Sequence, residues 1–534
     1  MQKPQMNIGA LGYIDVGIVL AALGLLFVIA FVAGRGQNDT SDFFLGHRKI
    51  PPLVACLSFV ATEISAVTII GVPAIAYSEN WQYLQFFIGS AAARIFVAFV
   101  FLPLFFKYEC TSIYEFLGHR FNRETQYAGS IFFFITRLVG SGVRLYAACL
   151  GVSVILGWGL GQTLALFTFV SIALITFGGI KAVVWSGAYQ ALVFYAAGIS
   201  VLGYIAYMLG DTLLPGIQNA FNAGMLSVFN FKPDLNDPTT FYAGTANAFF
   251  VGLAVFGTDQ ELVQRLLTVE TRKKSQNAII STIFASLPML CIYLCIGTLI
   301  YIFYANHPVL APQAGHVKEV LSYFAVHQLP AGLKGFLLAA IILASIDSPL
   351  ASLSSSFMMD IYKPLIKKTA NANHYLLVSR AGIVGFGLVL AVIAYACQPI
   401  KSVLWFAFQL ISITGPALLG VFLYGIFGPK KTLAGDIFAY LALIGIAMVG
   451  CYGAKWHVIF GSAIALMIVI EGLMLISRKR PQYSNIFAMA LTAISMLTIL
   501  LLVNAEYLKL AWSWLIVLGT AMTVVTAYLL DEKS

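Results

Sequence analysis

The chain has 534 residues, is 60% hydrophobic and only 10% charged, and has a mean hydropathy of +0.89. No soluble domain buries that share of apolar residues, so soluble enzymes and nucleic-acid binders are excluded, and the net charge of +9 has to be read by position. Apolar runs of about 20 residues or more recur along the chain, which describes an all-α polytopic membrane protein, because a barrel would show short alternating segments instead.

The first run, 11–33, is long and lacks a basic leading segment, which argues against a cleavable signal peptide. The runs continue at 51–77, 81–106, 129–156, 159–178, 182–208, 240–265, 277–304, 335–361, 378–398, 402–427, 433–453, 456–476, 485–503 and 509–530. Together they predict about 15 transmembrane helices at bilayer length. Lys and Arg collect in alternate loops: Arg35, Arg48 and Lys49; Lys107, Arg120 and Arg123; Lys181; Arg272, Lys273 and Lys274; Lys363, Lys367 and Lys368; Lys430 and Lys431; Arg478, Lys479 and Arg480. The positive-inside rule then places the N-terminus outside and the C-terminus in the cytoplasm, in the plasma (cytoplasmic) membrane. The seven cysteines form no metal-like CxxC pair, and most sit inside apolar spans as small core residues.

Loops 209–239 and 305–333 are long enough either to cover an outer vestibule or to act as plain connectors. Residues 107–128 have helical apolar spacing, which suits a short interfacial helix on the cytoplasmic side. Two spans are interrupted by polar runs: ATEIS in 51–77, around Glu63, and GTDQ in 240–265, around Asp259. They lie five spans apart, and paired interruptions in two halves point to a binding site at an inverted-repeat interface. The expected division is a flanking segment 1–50, a first repeat 51–208, an outer loop 209–239, a second repeat 240–430 and flanking helices 431–534.

The stretch 336–362 carries Ser345, Asp347, Ser348, Ser352, Ser354, Ser355 and Ser356. A serine face can simply pack helices closely. A carboxylate at mid-span costs about 2.5–3.5 kcal/mol on insertion scales, so Asp347 is a functional candidate. Sodium needs several hard oxygen ligands with little formal charge, and unwound carbonyls with Ser or Thr hydroxyls supply them. The break around Ala61–Ile64 and the hydroxyls of Ser345 and Ser348 fit that chemistry.

With these motifs laid out in order, the chain resembles the sodium/solute symporter family, which includes sodium–glucose, sodium–proline, sodium–sialic acid and sodium–iodide or monocarboxylate carriers. The resemblance rests on SFVATEISAVTIIGVPAIAY (58–77), TSIYEFLGHRF (111–121), FGGIKAVVWSGAYQ (177–190), TDQELVQRLL (258–267), GLKGFLLAAIILASIDSPLASLSSSFMMDIY (332–362) and QLISITGPALLGVFLYGIF (409–427). It implies a leucine-transporter-like inverted-repeat core of five plus five helices with flanking helices. It also implies Na+ as the coupling ion. The family's main sodium site falls by motif on Ala61, Ile64, Ile341, Ala344 and Ser345. Ala344 departs from the hydroxyl usual in the family, and Glu63 or a water would have to replace that oxygen. A second departure is Ser186-Gly187, where most members carry Thr-Asp; two facing hydroxyl positions of the family fall on Asp347 and Ser348. The resemblance therefore suggests that Asp347 supplies the missing carboxylate from the facing helix, the alternative being a structural pair with an arginine.

For the solute, the expected residues are Glu63, Ser65, Thr68, Gln82, Gln85, Arg144, Asp259, Gln260 and Gln409. Arg94, Arg137, Arg144 and Arg380 lie inside spans, and a guanidinium suits a carboxylate by paired hydrogen bonds. The competing role for these arginines is to neutralise Glu63, Asp259 or Asp347. Tyr83, Tyr146 and Phe408 are candidate gates. The expected activity is sodium-coupled symport of a small polar organic solute, a sugar or an organic acid, by alternating access. Proton coupling on the same fold is the alternative, followed by a sensor or channel. An intramembrane enzyme would need a nucleophile with a base or an HExxH-type metal motif, and the sequence shows neither. The partners expected are the solute and membrane lipid, with no nucleic acid, and one copy is expected to suffice for transport.

Overall fold

The computed structural model describes residues 11–35, 40–121, 123–312, 317, 319–344, 349–398, 403–428 and 511–530. Among them the secondary structure is entirely helical. In chain order the helices are α1 (Tyr13–Ala33), α2 (Thr40–Leu45), α3 (Pro52–Glu63), α4 (Ala66–Ser78), α5 (Phe86–Phe96) and α6 (Leu102–Lys107). Then come α7 (Glu115–Arg120), α8 (Arg123–Leu156), α9 (Leu160–Leu209), α10 (Leu213–Asn222), α11 (Phe241–Gly257), α12 (Gln260–Leu267) and α13 (Arg272–Asn306). The last are α14 (Val320–Gln328), α15 (Leu333–Leu343), α16 (Pro349–Ser356), α17 (Ala372–Ala396), α18 (Val403–Phe427) and α19 (Leu515–Leu530). Six stretches of these helices are long and apolar enough to cross a bilayer, and two further spans are bent pairs. The expected spans 433–453, 456–476 and 485–503 lie outside the described residues.

Both interruptions read from the sequence are present. Pro52 opens α3, where its missing N–H costs nothing. The helix stops at Glu63; Ile64 (φ −82°, ψ 85°) and Ser65 (φ −88°, ψ 175°) leave helical geometry before α4 begins. The two halves meet at 56°. Further along, α11 stops at Gly257, and Asp259 restarts the chain by accepting the Glu261 N–H at 2.8 Å. That side-chain cap is why the polar run breaks the span and still leaves a stable short helix. The bend between α11 and α12 is 58°, so the two interrupted spans are bent almost equally.

The expected spans 159–178 and 182–208 are two helices that meet within α9 at a kink on Gly179, whose φ of 53° and ψ of −160° favour glycine. Close helix approach rests on small residues, as expected where lipid gives no hydrophobic drive between helices. The Gly89 backbone lies directly on Thr245, so α5 runs against α11. Gly187 lies on Ser58 in the same way, so the second half of α9 packs against α3. The stretch 107–128 contains a short helix, α7. Its loop is clipped to α12: Gln260 donates to Thr111 O at 2.9 Å and accepts from the Ile113 N–H at 2.9 Å.

Candidate transport site

A cavity of about 170 Å³ lies beside the first break. α3, the break and α4 contribute Glu63, Ile64, Ser65 and Thr68; α5 contributes Phe86, Phe87 and Ser90; α8 contributes Arg144. Tyr83, Val251, Phe256, Ser286, Leu290 and Ile411 complete the parts of the wall that matter here. The cavity is therefore mostly apolar, with a few convergent polar groups, which is the usual make-up of a small-molecule site.

The break changes where backbone hydrogen bonds go. A continuous helix would send the Ser65 N–H to Ala61 O and the Thr68 N–H to Ile64 O. Here Ser65 N–H bonds Glu63 O at 3.1 Å, and Thr68 N–H bonds Ser65 O at 2.9 Å. The carbonyls of Ala61 and Ile64 thereby lose their ordinary helical donors. Arg144 Nη1 donates to Thr62 O at 3.4 Å, at the same end of α3. Arg144 also borders a second, smaller cavity of about 30 Å³, which includes Ala344 at the end of α15. One guanidinium thus stands between the first break and the end of α15.

Glu63 is held from two sides. Arg94 Nη2 donates to its Oε1, and Ser286 Oγ donates to Oε2 at 2.9 Å. Arg94 is fully buried, donates from Nη1 to Ser90 Oγ at 2.7 Å, and lies 4.4 Å over the Phe256 ring. A carboxylate and a guanidinium in contact satisfy each other where neither would be stable alone. Ser90, Ser286 and Phe256 were not singled out from the sequence. A serine or phenylalanine in an apolar span carries no signal until a partner is opposite it.

Of the residues expected at the solute site, Glu63, Ser65, Thr68 and Arg144 line the cavity, as does Tyr83. Gln85 is buried and serves the loop before α11 instead: its amide donates to Thr239 O and accepts from the Asn230 N–H at 3.4 Å. Gln82 precedes α5 and is not among the cavity-lining residues. Gln260 belongs to the clip between α12 and the loop before α7 described above. Asp259 caps α12 through one oxygen and takes Arg137 Nη1 at 3.0 Å through the other. Arg137 also pairs with Glu261, whose other oxygen lies 3.8 Å from Arg265. Arg137 thus neutralises carboxylates of α12, while Arg144, two turns further along α8, borders the cavity. Gln409 is on α18, with its side chain outside the description.

Of the expected sodium residues, Ile64 lines the cavity, and Ala61 and Ile341 are buried in α3 and α15. Ser345, Asp347 and Ser348 lie outside the described residues. Ser186 is buried and bonds its own helix at Ala182 O, 2.6 Å away. Next to it, Gly187 packs closely on Ser58, so that a methyl group there would displace the Ser58 hydroxyl and press on its backbone.

The wider comparisons agree with this architecture. The description "Sodium:solute symporter family" matches residues 43–445. The chain is similar to the sodium-dependent multivitamin transporter of Oryctolagus cuniculus, at 29% identity over 80% of this chain and 69% of that one. It is similar to the sodium/sialic acid symporter of Proteus mirabilis, at 24% identity over 87% and 95% of the two chains. The sodium-coupled monocarboxylate transporter 1 of Mus musculus is 26% identical over 82% and 72%. The fold matches that of a Na+-coupled sialic acid symporter solved in a substrate-bound outward-open state, with a TM-score of 0.79, 21% identity and 97% of both chains covered. These relatives are carriers rather than enzymes, and the chain, an integral membrane protein, belongs to the sodium:solute symporter family, whose coupling ion is Na+.

Proposed function

We propose that this chain imports a small organic acid together with Na+ by alternating access. Arg144 carries the reading: it borders the cavity at the first helix break, and a guanidinium there suits a solute carboxylate. Ser65 and Thr68 supply hydrogen bonds from the same wall, and Tyr83, Phe87 and Phe256 supply apolar and ring contact. The names of the relatives support an acidic solute, since they carry sialic acid and monocarboxylates.

For the cation, the carbonyls of Ala61 and Ile64, freed by the break, face an ion completed by Ile341, Ala344 and Ser345. Asp347 and Ser348 form a further cation position and restore the charge that Gly187 cannot hold. Na+ and solute then bind jointly near the midplane, and each must raise the affinity for the other. Closure of the outer side and rocking of one bundle within a five-plus-five repeat deliver both to the cytoplasm. About 15 spans, with the N-terminus outside, complete the picture at bilayer length, and one copy in its lipid suffices.

A solute screen in proteoliposomes tests the reading. Concentrative uptake of one or more small organic acids is expected under an inward Na+ gradient and not under a K+ gradient. Uptake driven equally well by a proton gradient without Na+ would replace sodium by proton coupling, with Glu63 the first residue to examine. Uptake of sugars but no acid would remove the role given to Arg144.

A further inference from the structure

Asp15 is a carboxylate in the first turn of an apolar span and is 1% exposed. Among the described residues it pairs with no cation. Its donors are three backbone N–H groups: Gly12 at 3.0 Å on its own helix, and Gly332 and Gly335 at 2.8 Å each on the far side. Gly332 and Gly335 are the N-cap and third residue of α15. The cap residue of α15 is a glycine with φ 90°, which has no side chain to cap with. The first N–H groups of a helix are orphans, and their positive end favours an anion. Asp15 therefore supplies from α1 the cap that α15 lacks. The fit is tight, because the Gly335 backbone lies directly against that of Asp15, and any side chain at 335 would collide with it. Tyr189 Oη, on the second half of α9, donates to Ala22 O at 3.2 Å, so α1 is itself anchored to the body of the protein.

We propose that Asp15 is a positioning residue for the cation site: a cap supplied by the flanking helix that fixes α15 along its axis and so sets the Na+ affinity at the opposite end of that helix. The inference rests on the sodium placement above, at Ile341 and Ala344. Those residues lie about 14 Å and about 18 Å from the cap, at 1.5 Å per helical residue. A rod held at one end delivers its far carbonyls to a fixed place. A negative charge on its positive end also leaves the field at the far end more favourable to a cation.

The test uses the purified full chain in detergent, with its thermal unfolding midpoint followed as NaCl replaces choline chloride at constant ionic strength. The wild type is expected to show a sodium-specific rise. In Asp15→Ala the same rise should need at least fivefold more Na+, and in Asp15→Asn, which keeps an acceptor oxygen, about twofold more, since hydrogen bonding persists while the charge is lost. A general loss of stability lowers the midpoint in choline but does not move the half-saturating Na+ concentration. If Asp15→Ala does not fold, Gly335→Ala, which pushes α15 off α1, is expected to shift the Na+ dependence in the same direction. A half-saturating Na+ concentration unchanged in the folded variant overturns the proposal while leaving the sodium reading intact. A wild type with no sodium-specific rise overturns both.

Discussion

Arg144 donates to the carbonyl of Thr62 at 3.4 Å, where the first broken span leaves its helix. The guanidinium is thus bonded to the backbone of the break itself, and it also borders the cavity. Movement of α3 against α8 would move the solute's proposed counter-charge with it.

If Arg144 holds a carboxylate, Arg144→Ala should cost most of the solute affinity. Charged hydrogen bonds contribute about 1.5–3 kcal/mol each, so a rise in KM of roughly 10–100-fold is expected at about 1.4 kcal/mol per tenfold. Arg144→Lys, which keeps charge without the planar fork, should recover part of it. Initial uptake rates at saturating Na+ measure both. An unchanged KM for an acidic solute in Arg144→Ala would remove the counter-charge role.

Glu63→Ala leaves Arg94 buried and without its carboxylate. Breaking a buried pair from one side costs about 3–5 kcal/mol. Because the Glu63 side chain keeps 23% exposure, a loss near the lower end, about 3 kcal/mol, is expected. The double variant Glu63→Ala/Arg94→Met should melt higher than Glu63→Ala alone. Thermal melting of the four proteins forms the cycle that measures the coupling, and additive effects would show that the pair does not stabilise the fold.

Gly187→Ala should destabilise the contact between α9 and α3, because the new methyl group meets Ser58. Overpacking of this kind costs about 1–3 kcal/mol, and Gly187→Asp should be worse. Restoring the family's usual aspartate in this chain is therefore expected to lower the yield of folded protein rather than improve sodium binding. Melting temperature and monodispersity after purification report it; a stable Gly187→Asp protein would mean that α9 yields easily at this point.

Asp347→Ala is expected to raise the half-saturating Na+ concentration for uptake by about tenfold, the equivalent of roughly 1.4 kcal/mol. Asp347→Asn should fall between it and the wild type. Sodium titrations of uptake at fixed solute measure this. Unchanged sodium dependence in either variant would assign Asp347 to a structural pair instead.

Much of this architecture was legible in one dimension. Length, apolarity and the alternation of basic loops give the membrane class, because lipid demands unbroken apolar helices and the charge bias is written loop by loop. The two breaks were legible as well, since ATEIS and GTDQ place groups inside apolar spans that compete locally for backbone hydrogen bonds. Ordered motifs carried the family. What sequence alone left open were the partners of the buried charges. Arg94, Arg137 and Arg144 are equivalent as intramembrane arginines, and only packing gives them Glu63, the carboxylates of α12, and the Thr62 carbonyl with the cavity wall, respectively. Gln85 and Gln260 look like solute ligands by type, yet backbone groups of distant loops occupy them. Asp15 gave no sign of a role, because two of its three donors lie more than 300 residues away. Periodicity and composition are local properties and can be read from one strand of text; the pairing of a buried charge depends on which helices meet, and that is decided only when the whole bundle closes.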